Sequence, residues 1–411
     1  MDTFYPDSSK YNNNYCICFS DEFELNDKVK NNDVFGGDNQ FFSSKIDANL
    51  VFKNIYYKLN EFINSNIDIK ITVLPDFFID RIIQISDMDR LTEVIEKKIK
   101  VGGGSVRGLN SIDIKGGNAV NVAYCLARLG VKVDLFTVAD KIGYSILNSV
   151  FKKFNSQVNL HIKNGKHGLT TIFEFTNPSF SVSNVMLSDI GDNCNFGPEL
   201  IESTFDILPI LNSSSAVVLT NWASNLRGTD LLKYVFTNSP NSLHFVDPAD
   251  ISERRLEFIH DLKNNSKLID ILSINENEFL QIICALLSTG DMVISDKENI
   301  HSITSINLCK FGLFLSRFFK IDLCIHTMIG SVLSTGRNAI FVNSIPPSKI
   351  NIVSGAGDSW DSAFLFGHLL NFTIEEKLCF ANLVAFLYLE NFYNDFPSLQ
   401  NIINYIYNNY F

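Results

Sequence analysis

The residues best able to do chemistry lie near the C-terminus, in Val353-Ser354-Gly355-Ala356-Gly357-Asp358-Ser359-Trp360-Asp361. An apolar segment with helical character, Ser362 to Leu370, follows at once. Small residues let the chain turn tightly, so successive N–H groups can converge on one cavity at a helix start. Fixed donors of that kind suit the charge that develops on non-bridging oxygens during phosphoryl transfer. In such a site the amides of Gly355, Ala356 and Gly357 cradle the anion, and Asp358 accepts the proton of an approaching hydroxyl. The plainer reading is a flexible turn whose Asp caps the helix. No Gly-Lys-Ser/Thr follows, so this is not a Walker A loop, and it lacks the glycine spacing of a dinucleotide-binding fingerprint.

A second constellation is Ser273-Ile274-Asn275-Glu276-Asn277-Glu278. Asn275 and Glu278 are three apart and share one face if a helix starts here. The carboxylate of Glu278 then suits magnesium held through water, with the Asn275 amide on phosphate. The same spacing makes a capping box, and the two readings are compatible. Asp247 and Asp250, followed by Arg254 and Arg255, offer further carboxylates behind the phosphates or simple surface ion pairs. Thr327 and the Gly330 backbone, after the run that ends at His326, are candidates for touching a nucleotide. His326 itself is read as structural.

Hydroxyl recognition has its own candidates. Lys115-Gly116-Gly117-Asn118-Ala119-Val120-Asn121 introduces a helical segment, Ala119 to Leu129, which stops at Gly130. The two glycines admit a flat polyhydroxylated ligand against the backbone, and Asn121 projects from the first turn. Asp80 closes Leu74-Pro-Asp-Phe-Phe-Ile-Asp80 and can accept two hydroxyl protons. Alone, these are helix-start glycines and polar loop residues; together they put hydroxyl acceptors at one sheet edge and an anion cradle at another.

The elements that must position these groups alternate. Strand-like runs occur at Ile71–Leu74, Val131–Val138, Ala216–Leu219, Leu243–Val246, Ile269–Leu272 and Leu323–Ile325, with helix-length intervals between them. That spacing predicts βαβ units, a mostly parallel sheet and helices on both faces, a three-layer α/β sandwich. Ligands of such a sheet gather beyond the carboxyl ends of its strands. The stretches 84–115 and 160–185 fit the main sheet poorly and are read as strands of a small β lid. Residues 1–65, rich in Asn, Asp, Ser, Tyr and Phe, read as a variable extension; 66–395 form the domain and 396–411 a tail.

Composition narrows the class. The chain has 411 residues, 46% of them hydrophobic, and a formal net charge of -11. That acidity gives no support to a nucleic-acid surface. No run of eighteen charge-poor apolar residues argues for a membrane span, and MDTFYPDSSK does not resemble a secretory leader. Among eight cysteines only Cys16 and Cys18 are close, and no second pair completes a zinc pattern. Cys125, Cys284 and Cys324 sit in apolar runs and are expected as buried thiols. A cytoplasmic setting fits best.

On Gly116-Gly117-Asn118-Ala119-Val120-Asn121 and Gly355-Ala356-Gly357-Asp358, in that order and at that distance, the chain resembles the ribokinase-like (PfkB) carbohydrate kinases from about Ile69 to Asn391. Asp80, Asp140 with Gly143, and Asn275 with Glu278 fall in the same order. The resemblance implies an α/β sandwich with a small β lid and an ATP- and Mg2+-dependent kinase of a sugar, sugar derivative or nucleoside. By it, Asp358 is the base and Gly355, Ala356 and Gly357 form the anion hole. Asp80, Gly116, Gly117 and Asn121 bind the acceptor; Asn275, Glu278, Thr327 and Gly330 serve the nucleotide, with Glu278 at the metal. Ile352 and Val353 stand where members commonly carry Asp-Thr, so monovalent-cation activation is not implied. Pro75 replaces a usual glycine, and no Gly-Glu-Asn element is evident. A kinase of hydroxymethyl heterocycles and a catalytically silent binding protein remain the alternatives. A homodimer through open lid strand edges is compatible with the sequence.

Overall fold

The computed structural model describes residues 47–65, 67–176, 182–293, 303–351, 353–391 and 395–411, with the backbone of two short strands before them. Ile352 and most of the first 46 residues lie outside the described residues. The strands, in chain order, are β1 (Cys16–Phe19), β2 (Phe41–Phe42), β3 (Lys70–Leu74), β4 (Phe78–Ile85), β5 (Asn110–Gly116), β6 (Lys132–Ala139), β7 (Val158–Asn164) and β8 (Gly168–Thr176). Then come β9 (Val182–Asp189), β10 (Ala216–Thr220), β11 (Leu243–Asp247), β12 (Ile271–Asn275), β13 (Asp322–His326), β14 (Gly330–Ser334) and β15 (Asn338–Asn343).

Eleven of these make one sheet in the order β2-β1-β15-β14-β13-β12-β11-β10-β3-β6-β7. From β13 across to β7 every neighbour is parallel; from β13 outward to β2 the pairing is antiparallel. Strand β10 shows why the sheet must be covered on both faces. Ala216 and Val218 enter one hydrophobic core, Val217 and Leu219 the other, and all four are buried. Successive side chains point to opposite faces, so a run without polar alternation needs a helix layer on each side. The helices Ala48–Asn64, Asn118–Arg128, Ala356–Leu369, Ile374–Glu390 and Leu399–Tyr410 supply residues to one core. Gly228–Thr237, Arg255–Asn265, Glu276–Thr289 and Ser305–Phe319 supply the other. The result is a three-layer sandwich.

A second, four-stranded sheet has the order β5-β4-β8-β9. Strands β5, β8 and β9 come largely from the two stretches expected to form a lid, but β4 lies almost wholly before the first of them, and the start of the second is β7, which pairs parallel with β6 in the main sheet; β4 and β5 also bring Asp80 and Lys115 to the edge of the main body. The remainder of the first stretch, Met88–Lys100, is a helix with no buried residue.

Several boundaries differ from the sequence reading. Strand β12 begins at Ile271 rather than Ile269, because the Ile269 amide donates to the Ser266 carbonyl and closes a turn first. Strand β13 falls on the expected run Leu323–Ile325, but β14 and β15, antiparallel beside it, were not expected; they sit on short runs that carry little periodic signal. The helix Ala48–Asn64, within the stretch set apart as an extension, buries Phe52, Ile55 and Leu59 in the core. It packs beside the C-terminal helix Leu399–Tyr410, which buries Ile402 and Ile406, so the stretch assigned as a tail is a core element. Phe52 and Tyr410 stack at 4.3 Å between ring centroids. Cys125, Cys309, Cys324 and Cys379 are buried and form no disulfide, while Cys284, expected as a buried thiol, is half-buried. No helix among the described residues is long and apolar enough to cross a membrane.

Truncating Ile55 to alanine is therefore expected to lower stability by about 2–5 kcal/mol, as for other buried aliphatic side chains. Glu61→Ala on the exposed face of the same helix should stay within about 0.5 kcal/mol. Chemical denaturation of the two variants separates a core helix from a loosely attached one.

Candidate active site

The parallel strands end together, and their carboxyl ends hold a network centred on Asp76. This residue follows β3 and is 1% exposed. Its carboxylate accepts from the backbone amides of Asn118 (2.9 Å) and Ala119 (3.1 Å), the first residues of the helix Asn118–Arg128. It also accepts from Thr220 Oγ1 (2.8 Å) at the end of β10 and from Asn221 Nδ2 (3.1 Å). A carboxylate on the first amides of a helix meets both orphan donors and the positive end of the helix dipole. Sequence reading passed over Asp76; its one signal was a charged residue at the mouth of an apolar strand.

Above that helix start, Gly116 closes β5 and allows an approach no other residue permits. A Cβ there would stand 2.2 Å from the Asp80 carboxyl carbon. Asp80 projects from β4, directly paired with β5, and is 8% exposed. Burial raises its pKa to about 6, against a hydrogen bond from Thr170 that works the other way; Asp76 adds to the rise. Gly117 takes the residue next to it, at the N-terminal boundary of the helix.

Asn121, one turn into the helix, lies between two charged groups. Its Nδ2 donates to Asp358 Oδ2 at 2.9 Å, and its Oδ1 accepts from Lys115 Nζ at 3.1 Å. Residues 237 positions apart thus meet on one amide. Asp358 is 6% exposed, and its other oxygen, Oδ1, is buried without a hydrogen-bond partner. Burial, then the nearby Asp247 carboxyl, pushes its proton affinity well above the usual carboxylate range. Lys115, which the sequence reading used only as a motif neighbour, is half-buried against Tyr124 and Phe396, with Nζ 4.4 and 4.6 Å from the ring centroids.

Asp358 belongs to the first turn of Ala356–Leu369. The turn before it needs Gly355, whose φ of 92° is left-handed and whose added Cβ would meet Tyr388 Oη at 2.8 Å. The three-amide cradle read from the sequence is modified: the Ala356 amide donates to the Val353 carbonyl at 3.2 Å and is already used. The amides of Gly355, Gly357 and Asp358 have no acceptor among the described residues, so Ala356 alone drops out of the cradle and the open donors extend to Asp358. One turn later Asp361 accepts from Ser273 Oγ at 2.5 Å, while its Oδ2 is buried and unpartnered.

Asn275 and Glu278 form a complete capping box. Asn275 Oδ1 accepts from the Glu278 amide, and the Glu278 carboxylate accepts from the Asn275 amide (2.9 Å) and Nδ2 (2.8 Å). Burial and Asp247 raise the Glu278 proton affinity. Asp247 is itself 8% exposed, with a pKa raised by burial to about 6, and Asn118 Nδ2 donates to it. No group of three His, Cys, Asp or Glu side chains among the described residues is arranged to hold a metal ion directly. Thr327 and Gly330 close the β13–β14 turn on each other, with Thr327 Oγ1 donating to the Gly330 carbonyl at 2.8 Å. Arg254 turns away from Asp247 and Asp250: it pairs with Glu257 and donates to the carbonyls of Trp222, Ala223 and Asn225. His326 stacks on Trp360, and burial lowers its pKa to about 4, as befits a neutral structural ring. Asp140 caps its own helix through the Ile142 and Gly143 amides.

Between the lid and the Asp358 turn lies a cavity of about 370 Å3, lined by Asp80, Lys115, Asn121, Tyr124, Ser354 and Tyr388 among others. That volume is within the range of small-molecule sites. Asp80 and Asn121 thus line one space, Gly116 lies against Asp80 and Asp358 is hydrogen-bonded to Asn121, with Asn275 and Glu278 on the neighbouring strand end.

An α/β sandwich with a four-stranded cover and a cavity at its strand ends is the ribokinase-like fold. A ribokinase from Arabidopsis thaliana, solved with ribose and ATP, aligns with a TM-score of 0.61 at 17% identity, covering 83% of this chain and 99% of that one. An adenosine kinase from Sinorhizobium meliloti gives 0.59 at 17%, over 84% and 99%. A phosphofructokinase-2 variant from Escherichia coli gives 0.58 at 16%, over 83% and 99%. No family model matches the sequence, and no curated protein does. Likeness at this level of identity shows the fold.

Two outcomes follow from the network. Asp76→Ala leaves the Asn118 and Ala119 amides and Asn221 Nδ2 without their acceptor, two of them in the protein interior, while Thr220 Oγ1 keeps the Leu74 carbonyl, and is expected to cost roughly 3 kcal/mol or more in a denaturant titration. Asp80 adds a pH dependence. Folding raises its proton affinity, so its contribution to stability is complete below the ordinary carboxylate range and is lost as pH rises through about 6. At about 1.4 kcal/mol for each tenfold change in proton affinity, the loss is on the order of 2–3 kcal/mol. Asp80→Asn should flatten the stability profile between pH 4 and 7 and exceed the wild type at neutral pH; parallel profiles would contradict this.

Proposed function

We propose that the protein is an ATP-dependent kinase that phosphorylates a hydroxyl of a sugar, sugar derivative or nucleoside. The observation that carries this reading is Asp358, whose Oδ1 is buried and open beside two unused helix-start amides while its Oδ2 accepts from Asn121, a residue of the cavity wall. A binding protein has no use for an unsatisfied carboxylate oxygen in that place, since leaving it bare is unfavourable.

In this mechanism Asp80 and Asn121 orient the acceptor, and its hydroxyl approaches Asp358 Oδ1. As the hydroxyl oxygen bonds to the terminal phosphorus, its proton passes to Asp358 and the bond from phosphorus to the bridging oxygen breaks, releasing ADP. The Gly357 and Asp358 amides hold the non-bridging oxygens. A base with elevated proton affinity suits the step, because transfer is most effective when that affinity approaches the working pH. Gly116, Gly117 and the cover formed by β4, β5, β8 and β9 exclude water from the reacting groups. Thr327 and Gly330, at the adjoining turn, are assigned to the nucleotide.

Magnesium fits the chemistry of the donor set. Glu278, Asp247 and Asp361 crowd together, and each has its proton affinity raised by burial and then by a neighbouring carboxyl, or in Asp247 by burial chiefly. Both Glu278 oxygens already serve the capping box, so the ion would be held through water rather than directly. When bound it would offset charge on the donor phosphates.

The test is a screen of pentoses, hexoses, sugar derivatives and nucleosides for ATP- and Mg2+-dependent product. Asp358→Asn is expected to lower kcat by roughly 10²–10⁴-fold while nucleotide binding persists. A variant with unchanged turnover would remove Asp358 from the mechanism.

A further inference from the structure

Lys115 is a half-buried ammonium in the wall of the acceptor cavity. Its contacts are one hydrogen bond, to the neutral Asn121 amide, and the faces of Tyr124 and Phe396; among the described residues no carboxylate lies within ion-pair distance. A charge taken out of water is ordinarily paired. The surroundings at the Tyr124 end repeat the imbalance. Arg128 Nη1 and Lys153 Nζ each stand 3.5 Å from the single carboxylate there, Asp395, and Lys153 Nζ also lies 4.9 Å from the Tyr124 ring centroid. Two cations there share one anion, and Lys115 stands near them with no ion pair of its own among the described residues. The acids nearest the Lys115 charge by their effect on it, Asp358 and Asp80, are themselves groups whose burial favours the protonated form. The cavity wall therefore carries more positive charge than the chain pairs directly.

We propose that the acceptor carries an anionic group, a phosphate monoester or a carboxylate, which pairs with Lys115 while a hydroxyl of the same molecule meets Asp358. This rests on the kinase reading above and narrows its substrate class. The two ends are separated by the width of the Asn121 amide and its two hydrogen bonds, a span that one sugar ring covers. Lys115 then has two effects on one ligand: it neutralises the anion, and through Asn121 it fixes the oxygen of Asp358 that stays open. Burial lowers the Lys115 pKa to about 8, opposed by Asp358 and Asp395, so the side chain remains charged at neutral pH and able to pair.

The experiment compares neutral sugars and nucleosides with their phosphorylated and carboxylated counterparts, in turnover with ATP and Mg2+ and in thermal-shift binding without turnover. An anionic acceptor is expected to exceed its neutral parent in kcat/KM by at least tenfold, and the phosphate and carboxylate arms tell which anion is meant. Lys115→Met should erase that ratio whatever its absolute rate, and Lys115→Arg should retain part of it. A neutral acceptor as the best substrate, or a ratio unchanged in Lys115→Met, overturns the proposal. If nothing is phosphorylated, the kinase reading fails, and the binding arm still decides: stabilisation by anionic sugars in the wild type but not in Lys115→Met supports the anion site, and stabilisation of neither, or of both alike, rejects it.

Discussion

Everything at the strand ends depends on one buried carboxylate. Asp76 ties the first amides of the helix Asn118–Arg128 to the ends of β3 and β10, so helix, sheet and loop share a single fixed point. Such a carboxylate is stable in the interior because four donors replace the water it loses. The helix start it holds determines where Gly116, Gly117 and Asn121 stand. Asn121 in turn reaches Asp358 on the adjacent helix, so a displacement at Asp76 would be transmitted to the proposed base through two hydrogen bonds.

Around that fixed point the protein tolerates an arrangement that is electrostatically unfavourable by itself. Asp247, Glu278, Asp358 and Asp361 come close enough to raise one another's proton affinity, on top of the effect of burial. An interior built only for stability would replace such groups with apolar side chains. Their retention beside unused helix amides is understandable if a polyphosphate and a cation complete the balance during turnover. The same reasoning applies with reversed sign at Lys115. Charges left unmatched by the chain itself mark where ligand charge belongs.

The parallel half of the sheet was legible because buried strands of β-branched and aliphatic residues, such as Ala216–Thr220, differ sharply from the helical segments between them. The glycine motifs were legible for the same kind of reason: Gly116 and Gly355 occupy positions where a Cβ would collide with Asp80 and Tyr388, a constraint that appears in sequence as an isolated glycine beside a helix. What escaped were groups whose role depends on distant partners. Asp76 looks like any polar residue after a strand until its donors from Asn118, Ala119, Thr220 and Asn221 are seen. Lys115 reads as the first letter of a motif, and only the fold brings Tyr124 and Phe396 to its sides. A helix over Asn49–Ile63 is readable in the sequence, but the core role of Ala48–Asn64 and of Leu399–Tyr410 escaped because Asn-rich exposed faces masked a narrow buried stripe that each completes against the other.

The pairing of Asn121 with Asp358 explains why the two motifs need each other at such separation. A helix start alone can hold an anion, and a carboxylate alone can accept a proton, but neither fixes which oxygen of the carboxylate is free. The amide settles this geometrically. Donating to Oδ2, it leaves Oδ1 as the acceptor; accepting from Lys115 at its other end, it cannot rotate by half a turn without placing its NH2 group against an ammonium. The orientation of the proposed base therefore follows from an ordering of donors, ammonium to amide to carboxylate, that has one low-energy direction. Residues on β5, on the helix Asn118–Arg128 and on the helix Ala356–Leu369 must be in register for that order to exist, and the common fold is what keeps them so.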